Sequence, residues 1–200
     1  MMRNLDEIYT EEFIKSCQAR AWRAHHIVRA INTVLAPKTV VDVGCGAGDL
    51  VREFLTHGIS CYGIEGTENA RAFSLIPSCK LEISDLRQPG YTPAFASSSD
   101  VALCFNVGEH IDVDCTKSFI KNLCSLGRTI LFAATSEKKF LHRLVNFKTR
   151  EEWLAEFKDA GMTQDQKTCT KLLENLKPIK SRYLIKIIYD NLLVVRKPNA

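Results

Sequence analysis

Residues Val40-Val41-Asp42-Val43-Gly44-Cys45-Gly46-Ala47-Gly48-Asp49-Leu50 constrain this chain more than any other stretch. A β-branched run ends beside an acid, and glycines then occupy every second position. That pattern predicts a strand feeding a tight turn whose backbone approaches a ligand closely, because glycine has no Cβ and tolerates positive φ. The next residues, Asp49-Leu50-Val51-Arg52-Glu53-Phe54-Leu55, read as the start of a helix. The ligand therefore sits near a helix N-terminus, where unpaired N–H groups point outward.

Glycine spacing separates the candidate ligands. A dinucleotide turn has the order G-x-G-x-x-G and places a pyrophosphate on the helix dipole. Here the order is Gly44-x-Gly46-x-Gly48, flanked by Asp42 and Asp49. Two carboxylates beside the turn oppose a pyrophosphate and suit a ligand carrying an ammonium and a sulfonium. The pattern resembles motif I of the class I S-adenosylmethionine (SAM) methyltransferases.

Further along, β and α patterns alternate. Strands are predicted at Thr39–Val43, Ser60–Ile64, Cys79–Ile83, Val101–Phe105, Thr129–Ala134, Met162–Cys169 and Asn191–Arg196. Helices are predicted at Asp49–His57, Glu68–Leu75, Cys115–Cys124 and Thr149–Ala160, and one or two more over Glu11–Leu35, stopped by Ala36-Pro37-Lys38. Such alternation predicts an α/β fold, a single Rossmann-like doubly wound sheet, mostly parallel, with helices on both faces. The resemblance adds that the sheet has seven strands with the last one antiparallel. Residues 1–36 read as an N-terminal helical segment and residues 37–200 as the SAM-binding domain. The resemblance suggests the first segment, with Tyr9 and Phe13, as a lid over the cleft.

Three more strand ends complete the pattern. After the second strand, Glu65-Gly66 places an acid where a ribose would lie, and a carboxylate accepts two hydroxyl hydrogen bonds at once. After the third, Asp85-Leu86 suits an adenine, Asp85 accepting from its amine and Leu86 packing on its ring; a turn aspartate is the plainer alternative. After the fourth comes Asn106-Val107-Gly108-Glu109-His110, at the carboxyl edge of the sheet where open α/β folds bind ligands. Asn106 and Val107 would hold the methionine end of SAM. His110 and Glu109 are the candidate catalytic pair, since an imidazole titrates near neutrality; their alternative role is to orient the next helix. The expected cofactor residues are thus Asp42, Gly44, Cys45, Gly46, Gly48, Glu65, Gly66, Asp85, Leu86, Asn106 and Val107.

Taken in order, these loops make most of the chain similar to class I SAM-dependent methyltransferases. It looks closest to the bacterial methyltransferase-domain group associated with glycan and secondary-metabolite assembly. Phe105–His110, Val145-Asn146 with Glu151–Phe157, and Tyr189–Lys197 carry that likeness. The group usually has histidine where Leu144 stands, and His142 is the nearest substitute. It often has an acid where Asn106 stands. Glu-x-x-Glu-His at this loop resembles a magnesium-binding segment of other methyltransferases, but the amide of Asn106 removes one hard ligand, so no metal is expected. His25 and His26 are adjacent on a helix, point in different directions, and form no i, i+4 metal pair.

Composition limits the rest. The chain has 200 residues, 46% of them hydrophobic, and a net charge of +4. Eight cysteines form no C-x-x-C pair, which argues for reduced thiols in a cytoplasmic protein rather than a zinc site or disulfide framework. No signal peptide or transmembrane run is read. From Lys167 onward there are eight Lys/Arg and two acids. The leading expectation is a SAM-dependent methyltransferase acting on a small-molecule or sugar hydroxyl. The alternatives are an RNA methyltransferase using the basic C-terminal region, and a non-catalytic SAM-binding partner subunit; nucleic acid is the less favoured partner, because no separate RNA-binding module is evident.

Overall fold

The computed structural model describes residues 3–18, 22–95, 98–137, 144–179 and 183–198. Three helices come first: Leu5–Ile8 (α1), Glu11–Gln18 (α2) and Trp22–Leu35 (α3). The strand Thr39–Val43 (β1) then leads through the glycine turn into Asp49–Thr56 (α4). Ser60–Glu65 (β2), Leu81–Ile83 (β3) and Ser99–Phe105 (β4) follow, then Thr116–Leu126 (α5), Gly127–Ala133 (β5) and Arg150–Asp159 (α6). The chain closes with Thr163–Gln164 (β6), Gln166–Leu176 (α7), Tyr183–Asn191 (α8) and Leu193–Arg196 (β7).

The sheet order is β3-β2-β1-β4-β5-β7-β6. Strands β1 to β5 pair in parallel, whereas β7 runs antiparallel to both β5 and β6. The order reverses between β1 and β4, which is where an open α/β sheet leaves a crevice beyond its strand ends. The predicted seven-stranded, mostly parallel sheet with an antiparallel last strand is the one observed.

Both faces of the sheet are covered, as a parallel sheet requires. One face packs α3, α4, α7 and α8 through Ile27, Val28, Phe54, Leu172 and Ile188. The other packs α5 and α6 through Phe119, Leu123, Trp153 and Phe157. Trp153 and Phe157 lie 5.0 and 5.1 Å from the ring of Phe132 on β5. Each such fully buried aromatic contributes about 1.5–3 kcal/mol by leaving water. The cluster reaches the β4 loop directly, since a Cβ on Gly108 would lie 2.6 Å from Phe132 Cζ.

Two predicted elements differ. The strand expected over Met162–Cys169 is only Thr163–Gln164, and Cys169 lies in α7. Asp165 caps that helix by accepting from the Thr168 N–H at 3.0 Å, and Cys169, Leu172 and Leu176 bury one helical face. Capping and 3.6-residue spacing outweigh the β-branched content of this stretch. The helix expected over Glu68–Leu75 is a 3-10 segment, Glu68–Phe73, ending at Ser74 in extended backbone before Pro77. Among the described residues no helix is long and apolar enough to cross a membrane.

Candidate functional site

Beyond the strand ends of β1, β2 and β4 lies a cavity of about 760 Å³. Asp42, Gly44, Cys45, Gly46, Glu65, Gly66, Asp85, Leu86, Asn106, Val107, Glu109 and His110 all line it. Of the predicted site residues, Gly48 alone does not. It has φ +83°, precedes α4 and packs against Ile76, so it shapes the turn from behind.

The turn is built as its glycines require. Gly44, Gly46 and Gly48 have φ of +71°, +56° and +83°. At Gly44 a Cβ would also lie 2.2 Å from Val107 Cγ2, so β1 and the β4 loop meet there backbone to side chain. Glu65 closes the turn from β2. Its Oε2 accepts from the Gly46 N–H at 2.8 Å and its Oε1 from the Gly66 N–H at 2.7 Å. A carboxylate offers about four lone-pair sites, so capacity for a ligand's hydroxyls remains.

The floor of the cavity is acidic. Asp42 is 3% exposed, and its pKa is pushed well above the usual range by burial, with Asp49 adding to the rise and Arg23 opposing it. Burial likewise raises the pKa of Glu65, against the backbone hydrogen bonds it accepts. Arg23 of α3 lies 3.4 Å from Asp49. The Cys45 thiol is also pushed well up, by burial first and then by Glu65 and Asp42, so it stays protonated and inert.

The β4 loop carries two unusual features. Asn106 has φ +60°, a left-handed conformation that costs a non-glycine residue energy and clusters at functional sites. Among the described residues its buried side-chain oxygen has no hydrogen-bond partner, and neither has Oε2 of Glu109. Glu109 is 2% exposed, and burial raises its pKa to about 8, against backbone hydrogen bonds at Glu109 and Thr135. The Glu109 carbonyl accepts from Val145 and Asn146 at 2.9 and 3.1 Å, tying the segment after β5 to this loop. The His110 ring stands edge-on to Tyr9, with centroids 5.5 Å apart. His142 lies outside the described residues.

Sequence reasoning missed the network that straps the N-terminus across the cavity. Arg87, 4% exposed, donates to both Asp85 oxygens, to Asp112 Oδ2 at 2.8 Å and to the Arg3 carbonyl at 2.8 Å. Arg3 in turn donates to Asp112 at 2.6 Å and to the His110 carbonyl at 2.6 Å. Leu5 covers Gly66, where a Cβ would lie 2.6 Å from Leu5 Cδ1. Asp6 accepts from the Thr67 hydroxyl at 2.7 Å and the Glu68 N–H at 2.8 Å. Only the adjacency of Arg87 to Asp85 hinted at this. Glu12, Phe13 and Trp22 from the N-terminal helices, Glu137 after β5, and Ile187 and Ile188 of α8 complete the walls.

The sheet order with its reversed last strand, and a cavity at the switch point floored by the glycine turn, define the class I SAM-dependent methyltransferase fold. Solved structures share this fold at low sequence identity. Streptomyces venezuelae DesVI matches with a TM-score of 0.65 at 12% identity, over 99% of this chain and 100% of that one. SAM-bound CalS10, an amino pentose methyltransferase from Micromonospora echinaspora, matches with a TM-score of 0.63 at 14% identity, over 92% and 97%. The sugar N-methyltransferase KedS8 from Streptoalloteichus sp. matches with a TM-score of 0.57 at 14% identity, over 71% and 79%. No protein-family model matches the sequence, and no curated protein matches it.

Proposed function

We propose that this protein is a SAM-dependent methyltransferase acting on a small molecule, with a sugar-like hydroxyl as the acceptor. The observation that carries the reading is Glu65, whose carboxylate spans the Gly46 and Gly66 N–H groups in the wall of the cavity. The donor set suits SAM: carboxylates at Asp42, Asp49 and Glu65 balance its positive charges, and the unpartnered Asn106 oxygen accepts from an ammonium. Asp85 and Leu86 flank the adenine end in this reading, although Arg87 already occupies both Asp85 oxygens. Bound there, SAM supplies an electrophilic methyl group. The protein supplies position and water exclusion, and His110 takes the proton of the acceptor hydroxyl while Glu109 holds the loop. The covering part of the N-terminal segment is residues 3–18, because α3 belongs to the main core.

A second reading, an amine acceptor, is favoured by a specific observation. Glu12 and Glu137 face the same cavity and suit a cation, and CalS10 and KedS8 are methyltransferases of an amino pentose and a sugar nitrogen. Calorimetry with SAM, S-adenosylhomocysteine and NAD tests the cofactor: the two adenosyl ligands bind and NAD does not. Methyl transfer to paired hydroxyl and amino sugars then separates the acceptors. With a hydroxyl acceptor, His110→Ala keeps SAM affinity and loses roughly a hundredfold in turnover. Full activity of that variant removes His110 from the chemistry. Tight SAM binding with no turnover on any acceptor supports the non-catalytic partner instead.

A further inference from the structure

We infer that the outer face of α3 and α4 carries a binding site for one divalent transition-metal ion of the zinc class, separate from the cofactor cavity. Glu53 on α4 and His57 at the cap that ends it stand at i and i+4, so both point to one side. His25 reaches the same point from α3. Its Nδ1 lies 3.1 Å from Glu53 Oε1, and His57 Nδ1 lies 3.7 Å from the same oxygen. One ligand atom from each of the three residues fits within 4.8 Å of the other two. In a tetrahedral zinc site with bonds of about 2.0–2.1 Å, ligand atoms stand about 3.3 Å apart. The two separations from Glu53, 3.1 and 3.7 Å, straddle that value.

The ligands are held by a rigid base. Ala24 and Val28 on α3, and Val51 and Phe54 on α4, are all buried and belong to one core cluster. The helical backbone that carries His25 and Glu53 and leads into His57 is therefore fixed before any ion arrives, and little chain entropy is lost on binding. Among the described residues, the Glu53 carboxylate has no arginine or lysine partner; its hydrogen bond is to His25 and its other close contact is His57. Two imidazoles and one carboxylate are a donor set for zinc rather than for magnesium or calcium, which prefer oxygen ligands. The His25 and His57 side chains are 56% and 34% exposed, which leaves room for solvent as a fourth ligand. None of the three lines the cofactor cavity.

The ion would act as a clamp. It joins the helix that carries Arg23 to the helix that begins at Asp49, the pair already in contact at the cavity floor. The adjacent pair His25-His26 forms no i, i+4 pair, as expected from the sequence; the i, i+4 pair is Glu53 and His57, and His25 joins it only through folding.

The test uses tag-free full-length protein titrated with ZnCl₂, CoCl₂ and MgCl₂, read by calorimetry, cobalt d–d absorption and thermal melting. The expected result is one zinc or cobalt ion per chain, a rise in melting temperature, and no response to magnesium. His25→Ala and His57→Ala should each weaken binding by about tenfold or more and abolish the metal-dependent melting shift, each read against that variant's own metal-free melt because the two rings also contact the Glu53 carboxylate and carbonyl. Equal affinity in the variants, as a site built on the exposed Cys79 thiol would give, overturns the assignment. So does an equal response to magnesium, or no binding by the wild-type chain.

Discussion

Replacing Glu109 by glutamine should change how stability depends on pH. Glu109 is almost wholly buried, and its Oε2 has no hydrogen-bond partner among the described residues. Burial moves its pKa from 4.5 to about 8. Between those values the folded protein keeps a proton that the unfolded chain has released. The folded state then binds more protons than the unfolded one, so stability falls as pH rises. The contribution is fully present below about 4.5 and is lost as pH climbs through about 8. The slope for one fully differential proton is about 1.4 kcal/mol per pH unit, so roughly 2.5 kcal/mol disappears between pH 5.5 and 7.5. Glutamine has the shape of the neutral acid and does not titrate. The wild-type stability minus that of Glu109→Gln should therefore fall by about that amount over this range, with Asp42 and Glu65 common to both proteins. Urea denaturation at pH 5.5, 6.5 and 7.5 measures the difference. A difference that is flat, or that rises with pH, refutes the argument that this carboxyl is carried neutral.

Three other substitutions have defined outcomes. Gly44→Ala meets Val107 Cγ2 at 2.2 Å from a left-handed backbone, so it should cost about 1–3 kcal/mol and abolish SAM binding; thermal melts and calorimetry matching wild type would contradict the described turn. Glu65→Ala removes two charge-assisted bonds, one to Gly46 in the turn and one to Gly66 after β2, each worth about 1.5–3 kcal/mol, and should lower SAM affinity at least about a hundredfold; it should also raise amide exchange at Gly46, which a carboxylate acting on the ligand alone would leave unchanged. Arg87→Ala removes the joint that Asp85, Asp112 and Arg3 share; limited proteolysis should then cut near residues 3–18 faster than in wild type, with the sheet core resistant. Equal cleavage rates would show that the strap does not depend on that joint.

Features set by local chemistry were legible in the sequence. The turn from Asp42 to Gly48, the acid at Glu65 and the loop from Asn106 to His110 each lie at a strand end, so reading the strands located them. The parallel strands β1, β2, β4 and β5 announced themselves as apolar runs between turn signals. What escaped was contact between distant residues. Arg87 meets Arg3 across 84 positions and Arg3 meets Asp112 across 109, and no periodicity encodes such pairings. Helix α8 escaped for another reason: Leu184-Ile185-Lys186-Ile187-Ile188 is a short apolar run that suits strand and helix equally. Its Ile187 and Ile188 therefore joined the cavity wall unannounced. Gly48 was placed at the ligand because it shares the spacing of Gly44 and Gly46, yet its role is to let the chain turn into α4.

The same long separations set an order of assembly. Closing a loop costs entropy that grows with the logarithm of its length. The strap contacts close loops of 84 and 109 residues, while the β1–β2 pairing joins residues about twenty apart. Arg3 is synthesised long before Asp112 exists to receive it. A segment made before the sheet is thus among the last to be fastened, after the sheet and its turn have formed. What docks last also releases first when its apolar anchor is small, here Ile14 against Ala47 and Ala70, so the N-terminal strap can detach as a local event while the rest of the molecule stays folded.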